Sequence, residues 1–470
     1  MNGATSSTAT GREHAKAPTY PTRSLQFLEG LKRSSTDSGV ESAKLPLDII
    51  ISGAGLGGLA TAIALARRGT RCTSYMPLLI MKKVGAGIQV PSNSSRLLLK
   101  WGLGPFLGDR VVEPSCINFR RWQSGDVIGY TRLVPEFREN FNAPYYVVHR
   151  AHFLDALHKL ALKLGVKVRV GSKVKDYNPR TPSLSLEDGT THTADLVIAA
   201  DGVKSAARAL VLGDHDRPPK MTGFAAYRAT VDVDRMRADP DLSWLVEKPG
   251  INLWIGDMRH VMTYTIAAGK SFNMVLSHPE DSDPSTWEQE TAVNDMQQQF
   301  SGWDPRLRKI IGMIDSTLKW PLLSGQPLER WVDPSGKFLI LGDAAHAMVP
   351  YMSQGAAMAV EDGAALAEVL SKIDSKDQIE AALGVFERVR ILRSGQMQEA
   401  SLVNGRIWHY ADGPEQQLRD SGMRAEVEGR HFIESPNQWS DPTTQWWCYG
   451  YDAENVAADA WDAYVAAESS

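Results

Sequence analysis

The stretch that most constrains the fold runs from Leu47 to Leu65 and reads LDIIISGAGLGGLATAIAL. Its β-branched run, residues 49–51, is typical of a buried parallel strand. The glycines that follow fit the pattern G-x-G-x-x-G, and the apolar residues after them recur at helical spacing. Strand, glycine turn and helix therefore come in the order of a βαβ dinucleotide-binding unit, whereas the glycines alone would also fit an ordinary loop.

Three glycines explain why such a turn binds a dinucleotide. Gly53 permits the tight turn, Gly55 lets the backbone approach a pyrophosphate, and Gly58 lets helix and strand pack closely. The N-terminus of the helix adds unpaired N–H groups and a partial positive charge. The sequence therefore predicts a dinucleotide site at this turn.

The end of the next strand departs from this pattern. A dinucleotide-binding unit normally ends its second strand with an acidic residue that accepts hydrogen bonds from ribose hydroxyls. The second strand is predicted over residues 70–75, and Met76 follows it. A thioether is a weak acceptor, and no Asp or Glu occurs between Thr70 and Gly108.

Two further buried strands end in acidic turns. Residues 194–200 lead into Asp201-Gly202, and residues 337–341 lead into Gly342-Asp343. Asp-Gly is by default a turn, but the carboxyl ends of strands in open α/β sheets are where ligands bind. Both interpretations stay open for Asp201, whereas Asp343, which precedes another glycine-led helix, is predicted to bind a ligand hydroxyl.

The pattern between these strands is different. From about Thr222 to Leu276, apolar and polar residues alternate as in an antiparallel sheet with one covered face. Period two places Arg228 on one face of its strand, and groups His260 with Tyr264 on one face of another. An Arg and a Tyr on such a face suit an aromatic acid or phenol; a solvated Arg and a half-buried Tyr are the alternative.

Composition excludes several classes of function. The 470 residues carry a formal net charge of -4, which gives no general attraction to nucleic acid or to an anionic membrane. Only Cys72, Cys116 and Cys448 occur, without a C-x-x-C pattern, so a disulfide scaffold or a zinc site is not expected. No apolar stretch reaches the ~18 residues of a membrane helix. We expect a cytoplasmic protein with no metal site and no membrane span.

Four motifs, in order, carry a resemblance to a known family. GAGLGG, VGAGIQ, AADG and LGDAAHAMVPYMSQGAAMAVED together resemble the single-component flavoprotein monooxygenases of the para-hydroxybenzoate hydroxylase fold, in particular the salicylate hydroxylase-like branch. The resemblance covers roughly residues 47–410. It implies an α/β fold, with a Rossmann-like FAD-binding domain and an inserted antiparallel β-sheet substrate domain.

The resemblance also implies a reaction. FAD would be the cofactor, NADPH or NADH the co-substrate, and one atom of O2 would enter an electron-rich aromatic ring. The substrate would be a small aromatic molecule, with a salicylate-like phenolic acid and oxidative decarboxylation as one option. The protein would be a monomer or a homodimer that binds no nucleic acid.

Site residues follow from the same resemblance. The residues expected to contact FAD are Gly53, Gly55, Gly58, Gly87, Ile88, Arg150, Asp201, Asp343, Gly355 and Ala356. Arg228 would hold a carboxylate or phenolate, and Tyr264, with His260 nearby, would relay a phenolic proton. Pro350 would press the substrate ring toward the flavin. Met76 stands where the family has its ribose-binding Glu.

Domain boundaries are expected as follows: a disordered N-terminal extension over 1–46, the FAD-binding domain over 47–215 and 331–410, the substrate-domain sheet over 216–330, and a C-terminal surface segment over 411–470.

Two other functions stay open. An NAD-linked dehydrogenase explains the turn at Gly53 but not the segment at Asp343. A degenerate flavoprotein with impaired FAD binding is motivated only by Met76.

Overall fold

The computed structural model describes residues 41–77 and 86–469. Most of the predicted N-terminal extension, and Gly85 of the second motif, lie outside these residues. The strands of the described part are β1 (Asp48–Ser52), β2 (Arg71–Met76), β3 (Gly87–Val90), β4 (Val111–Val112), β5 (Cys116–Arg121), β6 (Val127–Arg132), β7 (Tyr146–His149), β8 (Lys167–Val170), β9 (Val174–Asn178), β10 (Ser183–Leu186), β11 (Thr191–Thr193), β12 (Leu196–Ala199), β13 (Lys220–Asp232), β14 (Ile251–Gly256), β15 (Arg259–Ile266), β16 (Ser271–Pro279), β17 (Leu318–Ser324) and β18 (Phe338–Ile340).

The helices of the same part are α1 (Leu56–Ala66), α2 (Ser92–Lys100), α3 (Gly104–Leu107), α4 (Glu136–Phe141), α5 (Arg150–Lys163), α6 (Ala207–Leu212), α7 (Val233–Arg237), α8 (Trp244–Glu247), α9 (Ala292–Gln299), α10 (Pro305–Ile311), α11 (Asp343–His346), α12 (Gly355–Lys372), α13 (Ile379–Trp408), α14 (Pro414–Gly422), α15 (Arg424–Val427), α16 (Pro442–Tyr449) and α17 (Ala453–Glu468). No helix within residues 41–77 and 86–469 is long and apolar enough to cross a membrane.

A parallel sheet with the strand order β18-β12-β1-β2-β8 forms the centre of the cofactor domain. Ile50 of β1 pairs with Val197 of β12 on one side and with Thr73 of β2 on the other. Helices α1 and α12 pack closely, since a Cβ built on Gly363 would lie 2.8 Å from the Cα of Thr61. This arrangement is the Rossmann-like domain that the first motif predicts.

The substrate domain is built on a seven-stranded sheet with the order β17-β13-β16-β15-β14-β5-β6. Its pairs are antiparallel except for β14 and β5, which run parallel. Strands β5 and β6 come from residues 116–132, which the sequence assigns to the cofactor domain. They join this sheet because buried Ile117 and Phe119 lie beside Ile251 and Leu253 of β14. Alternation within one strand does not reveal such a distant parallel partner.

The C-terminal segment differs from the expected surface segment. Trp439, Cys448, Tyr449 and Trp461 are buried in the hydrophobic cores of the two domains. Burial of large aromatic side chains contributes strongly to packing energy, so these side chains tie the segment to the core, while others such as Leu418 and Ile433 stay exposed. Arg393 of α13 fixes the segment further by donating hydrogen bonds to the backbone carbonyls of residues 447 and 448.

Candidate active site

A cavity of about 460 Å³ lies where the carboxyl ends of β1, β12 and β18 face the seven-stranded sheet. It brings together most of the residues that the sequence predicts for the site. Those lining it are Gly55, Gly58, Gly87, Ile88, Arg150, Arg228, Tyr264, Asp343, Pro350, Gly355 and Ala356. Gly53 and Asp201 do not line it.

The glycine turn before α1 is shaped by backbone contacts. Gly53 has a φ of 106°, and a Cβ built on it would lie 2.2 Å from the carbonyl oxygen of Ala200. A Cβ on Gly58 would lie 2.0 Å from the carbonyl oxygen of Gly53. By contrast, a Cβ on Gly55 would meet no described atom within 4 Å. Gly53 and Gly58 are therefore required by packing, while Gly55 leaves open space at the N-terminus of α1.

Met76 ends β2 beside this turn. The N–H of Gly53 donates to the carbonyl oxygen of Tyr75 at 2.8 Å, and Met76 pairs with Val170 of β8. The side chain of Met76 is buried. The strand therefore ends where a ribose-binding carboxylate would stand, and it offers a thioether there.

Asp201 uses one carboxylate oxygen to hold the turn after β12. Its Oδ2 accepts hydrogen bonds from the backbone N–H groups of Ala206 at 3.1 Å and Ala207 at 3.3 Å. The Tyr177 hydroxyl lies 3.4 Å from the same oxygen and 2.7 Å from Oγ of Ser52. Oδ1 of Asp201 is buried with no hydrogen-bond partner among the described residues. One oxygen is therefore structural and the other is left without a protein donor.

Asp343 begins the short helix α11 and is exposed. Within the described residues its carboxylate makes no hydrogen bond or ion pair. Buried Asp362 stabilises this turn. Its Oδ2 accepts a hydrogen bond from the Gly342 N–H at 3.1 Å and lies 2.6 Å from Nε2 of His346. Burial would raise the pKa of Asp362, but His346 and Arg390 outweigh it and hold that pKa below its ordinary value.

The N-terminus of α12 is open as well. A Cβ on Gly355 would meet only the Met348 side chain, at 3.7 Å. Pro350 begins a one-turn 3₁₀ helix, Pro350–Met352, on the same wall of the cavity. This wall therefore presents unpaired backbone N–H groups beside a rigid proline.

Arg228 projects from β13 with no counter-ion among residues 41–77 and 86–469. Across the sheet it pairs with Val275, which pairs with Met262, so the three side chains stand in one row on the cavity face. Its guanidinium makes no hydrogen bond or ion pair within the described part of the chain. Burial lowers the pKa of Arg228; Tyr264 opposes this effect and Arg150 adds to it. A half-buried cation without a partner favours binding of an anion.

Tyr264 is a buried residue of the cavity lining, and its ring lies against Gly87. A Cβ on Gly87 would lie 2.5 Å from Cε2 of Tyr264, and the Gly87 N–H donates to Oδ1 of Asn273 at 2.6 Å. Burial raises the pKa of the Tyr264 hydroxyl, and Arg228 only partly opposes it. The hydroxyl is therefore neutral at neutral pH and makes no hydrogen bond within the described residues.

His260 also lines the cavity, but it is bonded to a residue that the sequence does not single out. Its Nδ1 lies 2.7 Å from Nε2 of His409, which follows α13. Burial, with a smaller effect of His409, lowers the pKa of His260 well below its ordinary value. Burial and nearby Arg419 lower the pKa of His409 to about 3. His260 and Tyr264 both line the cavity, and no hydrogen bond joins them within the described residues.

The groups that line the cavity match the chemical groups of a flavin dinucleotide. The open N-termini at Gly55 and Gly355 suit a pyrophosphate and a polar ring edge, and the free carboxylate of Asp343 suits sugar hydroxyls. Within residues 41–77 and 86–469, no group of three or more His, Cys, Asp or Glu side chains is placed to hold a metal ion.

Comparison with known proteins identifies the family. The model of the FAD binding domain family matches residues 133–400. The chain is 34% identical over 422 residues to the FAD-dependent monooxygenase OpS4 of Beauveria bassiana (strain ARSEF 2860), covering 89% of this chain and 98% of that protein. The chain belongs to the FAD-dependent monooxygenases.

Other relatives agree with this assignment. The monooxygenase is 32% identical over 412 residues to the 3-amino-4-hydroxybenzoate 2-monooxygenase PtmB3 of Streptomyces platensis, covering 87% of this chain and 97% of that protein. A salicylate hydroxylase substrate complex superposes with a TM-score of 0.72 at 25% identity, covering 89% of this chain and 98% of that one. The predicted family, fold and FAD cofactor are confirmed, and the chain is an enzyme.

Proposed function

We propose that this monooxygenase uses NADPH or NADH and O2 to hydroxylate an anionic, electron-rich aromatic substrate such as a phenolic acid. The observation that carries the proposal is the guanidinium of Arg228, which lines the cavity with Tyr264 and has no counter-ion in the part of the chain that the structure describes. One cation and one hydroxyl match a substrate with one anion and one phenolic group. The relatives named for aminohydroxybenzoate and salicylate support the same class of substrate.

The cofactor would be held by the open ends of two helices. Gly55 and Gly58 would place N–H groups at the pyrophosphate of FAD, with Gly53 shaping the turn. Asp343 would accept hydrogen bonds from sugar hydroxyls, and Asp201 would contribute its unpaired Oδ1. The residues proposed to line the flavin itself are Gly87, Ile88, Arg150, Gly355 and Ala356.

Each substrate-side residue has a separate role in the proposal. Bound FAD supplies the redox chemistry that takes electrons from the nicotinamide and activates oxygen for transfer to the ring. Arg228 holds the substrate carboxylate or stabilises a phenolate, which makes the ring more nucleophilic. Tyr264 would orient the phenolic oxygen, Pro350 would press the ring toward the flavin, and His260 would accept the phenolic proton.

The position of the carboxylate decides the outcome. If it stands on the carbon that receives oxygen, it leaves as carbon dioxide, as in salicylate-type hydroxylation. If that carbon carries hydrogen, the ring gains a hydroxyl and keeps its carboxylate. Both outcomes use the same placement of Arg228.

The cellular setting is part of the proposal. Cys72, Cys116 and Cys448 are all free in the structure, which fits a reducing cytoplasm. The assembly would be a monomer or a homodimer, which light scattering of the purified protein distinguishes.

A matched substrate panel tests the function. Purified protein is assayed for NADPH and NADH oxidation with hydroxybenzoates and with the corresponding neutral hydroxybenzamides. We expect hydroxylated product from the acids, with kcat/KM for the amides at least about tenfold lower because Arg228 loses its counter-ion. Oxygen-independent oxidation of the substrate by NAD(P)+ would instead identify a dehydrogenase and refute the proposal.

A further inference from the structure

His260 and His409 form a rigid imidazole pair at the substrate side of the cavity. Their ring planes are nearly parallel, at an angle of 19°, with centroids 5.0 Å apart, and Nδ1 of His260 lies 2.7 Å from Nε2 of His409. Phe224 stacks on His409 at 4.7 Å, and the Tyr351 ring meets both imidazoles edge-on, at 5.2 and 5.5 Å. Packing therefore fixes both rings in the plane of their shared hydrogen bond.

Only one of the two rings lines the cavity. His260 does, and its Nε2 makes no hydrogen bond within the described residues, whereas His409 does not line it. Two neutral imidazoles share one hydrogen atom, so one donates and the other accepts. If His260 donates from Nδ1, its Nε2 carries a lone pair that is free to accept a proton from a ligand.

The surroundings do not favour a charge that stays on this pair. No carboxylate among the described residues hydrogen-bonds to either imidazole. Arg419 is the charged group that helps to lower the pKa of His409. Its Nε donates a hydrogen bond to Oδ1 of Asp420 at 2.8 Å. Tyr351 and Ser277, the polar neighbours on the other side, are neutral and lie 3.5 Å apart. A proton that enters the pair therefore meets no carboxylate within the described residues that would hold it there.

We propose that His409 is a positioning residue that sets the tautomer of His260 and takes over the proton that His260 receives from the substrate. The inference rests on the proposed function. In the step, the phenolic O–H bond breaks and an N–H bond forms at Nε2 of His260. The proton on Nδ1 of His260 moves to Nε2 of His409, and a proton leaves Nδ1 of His409 to water. The substrate becomes a phenolate, and neither imidazole keeps a charge.

The test compares His409→Gln with the wild-type holoenzyme. Gln keeps a hydrogen-bond acceptor near the position of Nε2 but cannot carry a proton. We expect unchanged FAD content, about tenfold slower hydroxylation at neutral pH, and recovery of the rate at high pH. The absorbance change that marks ionisation of the bound phenol should move upward by about one pH unit, which a loss of packing alone would not cause.

A second variant and a control keep the test decisive. His409→Ala opens space for a ring, so added imidazole should restore its hydroxylation rate. Val403→Ala changes an exposed residue of α13 outside the cavity lining, and its pH profile should follow that of the wild type. A wild-type pH profile for His409→Gln, or no imidazole rescue of His409→Ala, would overturn this inference alone. A wild-type protein that hydroxylates no aromatic acid would overturn the proposed function as well.

Discussion

The ring of Tyr264 lies against Gly87 so closely that a Cβ on residue 87 would stand 2.5 Å from Cε2 and 2.9 Å from the hydroxyl oxygen. Tyr264 belongs to the seven-stranded sheet, and Gly87 begins a strand at the cofactor side of the cavity. The two domains therefore meet at this contact, and the position of the Tyr264 ring depends on the absence of a side chain at residue 87.

Glycine substitutions should separate packing from cofactor binding. Gly87→Ala should displace Tyr264 and Asn273 and lower the free energy of unfolding by about 1–3 kcal/mol. Gly55→Ala meets no described atom, so unfolding of the apoprotein should change by less than about 0.5 kcal/mol, while the methyl group obstructs the pyrophosphate. Urea denaturation and FAD titration measure both effects. Wild-type FAD affinity in Gly55→Ala would show that the cofactor does not lie there.

Substitution of Met76 tests the missing carboxylate. Met76→Glu should raise FAD affinity about 10- to 100-fold, because a charged hydrogen bond to a ribose hydroxyl contributes roughly 1.5–3 kcal/mol. The apoprotein should become less stable, since the new carboxylate is buried without a partner. Fluorescence titration with FAD measures the affinity, and Met76→Gln is the uncharged control. Weaker binding in Met76→Glu would show that another group already holds the ribose.

Arg228 and Tyr264 should have different kinetic effects. Arg228→Ala should raise KM for an aromatic acid about 10- to 100-fold, because a charge-assisted pair is lost from ground-state binding. Tyr264→Phe should mainly lower the yield of hydroxylated product per NAD(P)H and release hydrogen peroxide. Thr230→Ala, an exposed change on the strand of Arg228, is the control. If both variants keep wild-type KM and yield, the two residues are structural.

Buried neutral histidines should make the protein sensitive to acid. Burial lowers the pKa of His409 to about 3 and that of His278 to about 4. Between these values and the unfolded pKa of about 6.5, the unfolded chain binds more protons, so stability falls as pH falls. From pH 6.5 to 5, each histidine should lower the free energy of unfolding by about 1.5 kcal/mol. A plot of the denaturant midpoint against pH should have a shallower slope for His278→Gln than for the wild type. Thr230→Ala, an exposed change that removes no titratable group, should keep the wild-type slope.

Local sequence patterns were sufficient to predict the structure of the cofactor domain around the glycine turn and the Asp343 turn. The glycine turn, its flanking strand and helix, and the Asp343 turn depend on neighbouring residues, so their order along the chain predicts their structure. Period two within β13 and β15 placed Arg228 and Tyr264 on cavity-facing surfaces for the same reason. Strand pairing places Arg228 in a row with Val275 and Met262, and Tyr264 in the row of Asn273.

Long-range contacts account for what the sequence did not reveal. His409 lies 149 residues from His260, and Tyr177 reaches Asp201 from a separate small sheet. Neither residue belongs to a periodic or motif pattern that distinguishes it from a packed aromatic side chain. The aromatic-rich C-terminus lacked long periodic runs, and its burial depends on partners far away in the chain, such as Arg393.

The most direct test of the central claim follows the source of the inserted oxygen. Purified protein with bound FAD is supplied with NAD(P)H and the best aromatic acid under isotopically heavy oxygen gas, and the product is analysed by mass spectrometry. Insertion of one atom of O2 predicts one heavy oxygen per product molecule and one NAD(P)H consumed for each. Product whose new oxygen comes from water, or NAD(P)H oxidation that yields only hydrogen peroxide with every aromatic acid, would contradict it.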